Sequence, residues 1–382
     1  MRIGVDSRPL REAQTSGIPM YVRSVLRALA REDRDNEYVL YAHRDFSFDL
    51  PPRWRKHVGG SMRYGSVWTQ TELPGWLVRD RIDVYWGTEH VLPILLPRRI
   101  KTVLTVCDLV YVLHPETMSR HNRMLTQLLV PPSVRRADAI VTISQSTLDD
   151  LQAHFRPRTT LLRVAHLGVS DRFAPRDPGA VGPRVERPYP GLTPYILTVG
   201  TFEPRKNLQE LVRAFASIAG RIPHNLAIAG QPGWNGSPAL KAIERSGCRE
   251  RIRLLGYVPD DALPDLYAGA DAFAFPSLYE GFGLPPLEAL ASGVPVVCSN
   301  LASLREVVGE AAVLVDPRDP DDIARGLLSL VLDRSLRTTL VARGLARAAR
   351  FRWEKTAADI REVFSMVAES GRAGAGSAAR TG

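Results

Sequence analysis

Two glutamates eight residues apart, Glu280 and Glu288, enclose the run Gly281-Phe282-Gly283-Leu284-Pro285-Pro286-Leu287. An apolar run ends at Phe275 and another begins at Val294, so the pattern reads strand, glycine loop, helix, strand. Pro285 and Pro286 suit a first helical turn, where a missing N–H is no loss, and Gly293 suits the position just past the helix end. Gly281 and Gly283 let backbone come close to a ligand. The unpaired N–H groups and positive dipole end of the helix then make a site for an anion or for sugar hydroxyls. Both carboxylates are expected to face one pocket, with Leu278 just ahead of them. The plainer alternative is a loop carboxylate plus a glutamate that merely complements the helix dipole.

A second chemical segment lies upstream. Leu197-Thr198-Val199 reads as a strand closed by Gly200, followed by Thr201-Phe202-Glu203-Pro204, the adjacent cations Arg205 and Lys206, Asn207 and an apolar-periodic helix from Leu208. Breaking a bond between a sugar and a phosphate leaves negative charge on the departing group. Cations fixed at a strand's carboxyl end stabilise that charge more in the transition state than in the ground state. The alternative is a solvated Arg-Lys pair with no ligand.

The spacing Glu280-x7-Glu288 around Gly-Phe-Gly-Leu-Pro resembles the E-x7-E motif of the family-4 retaining nucleotide-sugar glycosyltransferases, and the resemblance covers nearly the whole chain apart from its tail. It implies the GT-B fold, with Glu280 beside the donor sugar and Glu288 on the ribose hydroxyls. Gly200 through Lys206-Asn207 resembles the family's G-x5-K-N phosphate clamp, which needs no divalent metal; this gives Arg205 and Lys206 the catalytic role of neutralising the leaving diphosphate. Gly230, Tyr257 and Val258 at two further strand exits, together with Gly200, Leu278, Gly281, Phe282, Gly283 and Leu284, complete the implied donor site. In the first half, Ser16-Gly17-Ile18 follows the first strand, and Gly17 is expected to approach the diphosphate. Thr105-Val106-Cys107-Asp108 closes a strand where the family usually has His-Asp. Cys107 cannot supply the histidine's hydrogen bonds, while Asp108 stays a catalytic candidate on even terms with a turn cap. His114 reads as structural or acceptor-side, Ser144 as a helix cap and Gly168 as a backbone necessity.

The segment Gly4 to Leu10 with Ser16-Gly17-Ile18 looks most like bacterial mannosyltransferases of polysaccharide and lipopolysaccharide assembly. The implied reaction is retaining, metal-independent transfer of a hexose, with GDP-mannose as the implied donor, a saccharide or lipid-linked saccharide as acceptor and no further cofactor. A sugar-nucleotide epimerase of the same fold and a non-catalytic sugar-nucleotide-binding protein are the alternatives, the latter suggested by Cys107.

The elements that must position these residues recur along the chain. Short β-branched runs at Ile3–Val5, Tyr38–Tyr41, Val84–Trp86, Thr102–Val106 and Ala139–Ile143, and again at Tyr195–Val199, Leu226–Ala229, Ile252–Leu255, Ala272–Phe275, Val294–Cys298 and Ala312–Val315, alternate with amphipathic stretches. That rhythm predicts an α/β chain with parallel sheets covered on both faces. A proline- and glycine-rich segment from Phe173 to Pro194 breaks it and reads as a linker unable to sustain a helix. The expected organisation is a Rossmann-like acceptor-side domain over 1–170, a linker over 171–190, a nucleotide-sugar-binding domain over 191–350, a C-terminal helix over 351–370 and a disordered tail over 371–382. The two doubly wound domains are expected to face a central cleft holding the active site.

Composition narrows the remaining classes. With 382 residues, 45% hydrophobic and 24% charged, the chain suits two packed domains rather than disorder. Three cysteines, Cys107, Cys248 and Cys298, form no pair at metal or redox spacing. The start lacks a signal-peptide pattern and no apolar run is long enough to span a bilayer, so a cytoplasmic protein is expected. There is no G-x-G-x-x-G after a strand, no Walker-type loop and no H-E-x-x-H. Asp319-Pro320-Asp321 reads as a helix cap rather than a metal site. The net charge of +9 fits an anionic partner, and without an aromatic platform or groove-reading motif nucleic acid is not expected. Peripheral attachment to the inner face of the cell membrane is expected through cations such as Arg53, Arg55, Lys56, Arg120 and Arg123.

Overall fold

The computed structural model describes residues 1–11, 17–62, 64–118, 120–231 and 237–378. The chain divides into two units: residues 1–113, 120–168 and 353–382 form the first, and residues 114–119 and 169–352 the second. Ser16 and residues 379–382 lie outside the described residues.

The first unit runs β1 (Arg2–Asp6), α1 (Ile18–Glu32), β2 (Glu37–Ala42), β3 (Arg55–Val58), α2 (Gly65–Thr71), α3 (Leu73–Arg79), β4 (Val84–Gly87), β5 (Lys101–Val106), α4 (Val110–Leu113), α5 (Arg120–Arg136), β6 (Ala139–Thr142), α6 (Gln145–His154) and β7 (Leu162–Val164). Its parallel sheet has the order β3-β2-β1-β4-β5-β6-β7. The central strands are buried on both faces, which is why they read as unbroken apolar runs.

The second unit begins with α7 (Pro178–Glu186) and continues β8 (Tyr195–Val199), α8 (Leu208–Ile218), β9 (Asn225–Ala229), α9 (Ser237–Arg245), β10 (Ile252–Gly256), α10 (Leu263–Ala268), β11 (Ala272–Phe275), α11 (Leu284–Ala291), β12 (Val296–Ser299), α12 (Ala302–Val308), β13 (Ala312–Val315), α13 (Pro320–Leu332) and α14 (Arg334–Ala348). Its parallel sheet has the order β10-β9-β8-β11-β12-β13. On α8, Leu208, Leu211, Val212, Phe215 and Ile218 recur at helical spacing and are buried together against Ile196, Ile228 and Leu327. Each such side chain contributes about 1.5–3 kcal/mol by leaving water, so the core fixes where the helices and their preceding loops sit.

Two elements depart from the sequence reading. The linker segment contains α7 after all: Asp177 caps it by accepting from Gly179 N at 3.0 Å, and Pro178 occupies the first turn, where proline is tolerated. The last helix, α15, runs Trp353–Ala378 into the segment expected to be a disordered tail; that segment has no proline to stop it, and alanines offset its glycines. It packs with the first unit rather than following the second. Phe364 meets Trp86 edge-on at 5.7 Å, and Thr356 Oγ1 donates to the His166 carbonyl at 2.5 Å. Among the described residues no helix is long and apolar enough to cross a membrane.

Candidate active site

In the second unit the chain leaves β8 toward β9 on one side, while β11 on the other side of β8 leads on to β12. The carboxyl ends of β8 and β11 therefore flank the point where the winding reverses, and a crevice opens there in doubly wound sheets. The two chemical segments of the sequence are the loops that leave these two strands. Leu278 N donates to the Arg205 carbonyl at 2.7 Å, tying one loop to the other. Asn207, buried in a left-handed conformation (φ 58°), closes the first loop and donates from Nδ2 to the carbonyls of Pro276 (3.0 Å) and Pro317 (2.6 Å). Asparagine tolerates that backbone conformation and brings donors that bridge three segments.

Between these loops Glu280 is held by both cations. Lys206 Nζ lies 2.6 Å from Oε1 and Arg205 Nη1 3.0 Å from Oε2, while Arg205 Nε reaches Glu203 Oε2 at 3.0 Å. Ser303 Oγ donates to the Glu280 carbonyl at 2.6 Å. The Lys206 ammonium also sits 4.7 Å above the Phe275 ring. Burial pushes the Glu280 carboxyl upward, but the charges of Lys206 and Arg205 outweigh it and hold the group below the usual carboxylate range. Burial, then the neighbouring Arg205 charge, lowers the Lys206 ammonium despite Glu280. A buried ion cluster contributes little net stability compared with an apolar core, so its placement at a switch point marks a site built for charge.

The glycines serve close approach. Gly200 (φ 155°), Gly230 (φ 150°) and Gly256 (φ 67°) stand at the exits of β8, β9 and β10. Gly230 N donates to the Gly256 carbonyl at 2.8 Å, and a Cβ on Gly230 would sit 2.0 Å from the Gly200 carbonyl oxygen. Gly200 packs on the Lys206 stem, where a Cβ would lie 3.5 Å from Cε.

Gly283 (φ 119°) caps α11, with Leu284 and Pro285 in its first turn. At the other end Gly293 N bonds the Leu290 carbonyl and Val294 N the Ala289 carbonyl, the Schellman arrangement that a glycine past the helix end allows. Phe282 turns its ring into the core, edge-on to Phe351 at 5.8 Å, so only its backbone is left for a ligand.

Glu288 takes a different partner from Glu280. It is buried, and its Oε2 accepts from Tyr267 Oη on α10 at 3.0 Å. Burial pushes its carboxyl up to about 7, against the Tyr267 hydrogen bond and the Arg172 charge. Tyr257 is 45% exposed beyond β10 and Val258 is buried beside it.

In the first unit, Gly17 caps α1 with φ 63°. Asp108 Oδ1 accepts from Val110 N at 3.2 Å, the geometry of a turn cap. Cys107 is buried, which pushes its thiol well up. Ser144 caps α6 through Thr147 N at 3.0 Å, and Asp319 caps α13 through Asp321 N at 2.9 Å.

The fold thus gathers Glu280, Arg205, Lys206, Gly200 and the Leu278 backbone, and sets Glu288 apart on Tyr267. Tyr267, Ser303 and the bridging role of Asn207 were missed by the sequence reading, because each contact spans a separation that no local pattern encodes; the Glu203 contact, two residues from Arg205, was missed although it is local. His114, grouped with the second unit, has its ring 5.2 Å from that of Tyr279, next to Glu280.

Residues 185–347 match the family model described as glycosyl transferases group 1. The chain is 36% identical over 372 residues to the O-antigen chain mannosyltransferase B of Escherichia coli, covering 93% of this chain and 97% of that one. Among solved structures it resembles a sucrose-phosphate synthase from Thermosynechococcus elongatus (TM-score 0.78, 18% identity, 97% of this chain and 99% of that one). It also resembles Anabaena HepE in complex with UDP and glucose (TM-score 0.72, 18% identity, 95% and 99%). At these identities the structural likeness carries the fold, the GT-B pairing of two Rossmann-like domains.

Proposed function

The chain belongs to the group 1 glycosyl transferases, and on that premise we propose that it moves a hexose, mannose, from GDP-mannose to a saccharide or lipid-linked saccharide acceptor, with retention of configuration and without a metal. The mannosyltransferase at 36% identity supports the sugar, and the UDP held by the Anabaena protein supports a nucleoside diphosphate as the carrier. The family match does not favour an epimerase or a non-catalytic binding protein. The carrying observation is the Glu280-Arg205-Lys206 cluster at the carboxyl ends of β8 and β11.

When the bond from the anomeric carbon to the diphosphate breaks, its electron pair stays on the phosphate oxygen. Arg205, Lys206 and the N–H groups at the start of α11 neutralise that charge where a metal would otherwise be needed. Glu280 is the resident counter-anion of the two cations; an arriving diphosphate shares them, which frees a carboxylate oxygen to accept from sugar hydroxyls. Glu288 holds ribose hydroxyls, and Asp108 is assigned to the donor sugar. The backbone of Gly200, Gly230, Gly281 and Gly283 admits the diphosphate, and Leu278, Leu284, Tyr257 and Val258 wall the nucleoside.

The test is a panel of GDP-mannose, GDP, UDP-glucose and UDP read by protection against thermal unfolding, followed by turnover with the protecting donor in EDTA. Protection by GDP-mannose, turnover unchanged by EDTA and a proton spectrum showing the donor's anomeric configuration in the product are expected. Protection by the UDP pair alone would overturn the donor, metal-restored activity the metal independence, and an inverted anomer the stereochemistry.

A further inference from the structure

In the first unit a recess of about 540 Å³ opens among Arg98, Lys101, Arg135, Arg136, Arg158 and Asp138. It lies at the amino ends of β5, β6 and β7, the edge opposite the one where ligands of doubly wound sheets sit, so the transfer reaction does not account for it. Asp138 is engaged: its Oδ2 accepts from Thr102 N and Oγ1, both at 2.8 Å, and from Arg136 Nη1 at 3.2 Å, with Lys101 Nζ 3.7 Å from Oδ1. Five cations less one carboxylate leave a net charge of four on the recess. Arg135 and Arg136 end α5, where cations complement the helix dipole. That explanation does not reach Arg98 and Arg158, which come from two separate loops and, with Arg135, form no ion pair among the described residues.

The same face carries large apolar side chains in water. Leu95 is 82% exposed, Leu128 67% and Met124 60%. Leu95 stands three residues before Arg98 on a loop fixed to α5, since Leu92 N donates to Ser133 Oγ at 2.9 Å. Leu128 lies one helical turn before Pro132, which lines the recess, and two turns before Arg135, so all three share a face of α5. Exposed leucines beside unpaired arginines match the two layers of a bilayer surface, acyl boundary and phosphate.

Of the cations expected from the sequence to meet a membrane, Arg53, Arg55 and Lys56 fall elsewhere. Lys56 Nζ is 2.7 Å from Asp45, Arg55 is 3.7 Å from Glu37, and Arg53 donates to the Arg34 carbonyl at 2.7 Å. Two of the three are thus neutralised, whereas Arg120 and Arg123 lie exposed on α5.

We propose that this face of the first unit docks on an anionic phospholipid bilayer, the recess taking lipid phosphate while Leu95, Leu128 and Met124 enter the headgroup boundary. The proposal goes beyond the transferase reading and does not depend on it, because vesicle binding is measured without turnover.

The experiment is co-sedimentation of the full chain with phosphatidylglycerol-containing and with pure phosphatidylcholine vesicles, at low and high salt. It compares wild type, the triple variant Arg98→Ser, Arg135→Ser, Arg158→Ser, the double variant Leu95→Ser, Leu128→Ser, and a control Arg53→Ser, Lys56→Ser. Wild type and control should bind the anionic vesicles at low salt and release at high salt. The triple variant should bind roughly a hundredfold more weakly, from the summed attraction of three cations to headgroups, and the leucine variant should also weaken. A triple variant that sediments like wild type, or a wild type that ignores anionic vesicles, overturns the proposal. Calorimetry with inorganic phosphate and pyrophosphate separates the sources: phosphate binding that the triple variant loses, without vesicle binding, would make the recess a free-phosphate site and refute the lipid.

Discussion

The Lys206 ammonium lies 2.6 Å from Glu280 Oε1, with Arg205 on the other carboxylate oxygen at 3.0 Å, so the two cations that would meet a diphosphate are already bound to a carboxylate of the protein. Removing one member of a buried pair strands its partner. Lys206→Met should reduce turnover at least a hundredfold and destabilise the fold by about 3 kcal/mol, the low end for a broken buried pair because Arg205 still holds Glu280. Adding Glu280→Gln should return most of the stability and none of the activity. Urea unfolding beside turnover checks this, and a double variant as unstable as the single one would show that the pair is not the cause.

The proton on Glu288 gives a pH signature of opposite sense to that of an ordinary salt-bridged carboxylate. Its folded value is raised to about 7, above an unfolded value near 4.5, so its contribution is fully present below about pH 4.5 and lost as pH rises through 7. The change is on the order of 3 kcal/mol. Glu288→Gln keeps an acceptor for Tyr267 and cannot ionise. Its stability relative to wild type should therefore improve between pH 5 and pH 8, and a gap that does not move with pH would refute the assignment.

Gly230→Ala tests the close approach of the strand exits. The new Cβ would meet the Gly200 carbonyl oxygen at 2.0 Å, a backbone atom that cannot swing aside, at a φ of 150° that side chains avoid. A loss of about 2–5 kcal/mol is expected from overpacking plus strain, with donor protection lost as well. A normal melting temperature would mean that the two loops have more freedom than this contact implies.

The readable parts of this chain were those encoded locally. Strands such as Tyr195–Val199 and Ala272–Phe275 are apolar because both faces are covered, and their ends came out as observed. The first unit's edge strands Arg55–Val58 and Leu162–Val164 did not: both are short and carry polar residues, so they leave no apolar run. Gly283 and Gly293 were legible for the same local reason, since helix ends have their own residue chemistry. What Glu288 touches was not legible. Tyr267 is twenty-one positions away on another helix, and only the packing of α10 beside α11 puts its hydroxyl on that carboxylate. The helix inside the proline-rich segment failed in the other direction: Pro178 sits in the first turn, where proline is tolerated, and the helix carries Pro183 inside it as well.

Arg205 spans two carboxylates, Nε on Glu203 at 3.0 Å and Nη1 on Glu280 at 3.0 Å. That span requires a planar group with donors pointing two ways. Arg205→Lys keeps the charge but offers a single compact ammonium on a shorter reach, which can meet one carboxylate or one phosphate oxygen and not hold the fork. Glu280 would keep Lys206 and stay ionised, so the fold should lose about 1 kcal/mol or less, the scale of one partly exposed ion pair. The donor should feel the change more: binding of the diphosphate should weaken about tenfold, and turnover should fall further, because the missing contact would be made most strongly as charge develops on the leaving group. Calorimetry with GDP and turnover with GDP-mannose separate the two effects. Unchanged GDP affinity together with unchanged turnover would remove Arg205 from the site and leave Lys206 and the start of α11 to carry the leaving charge.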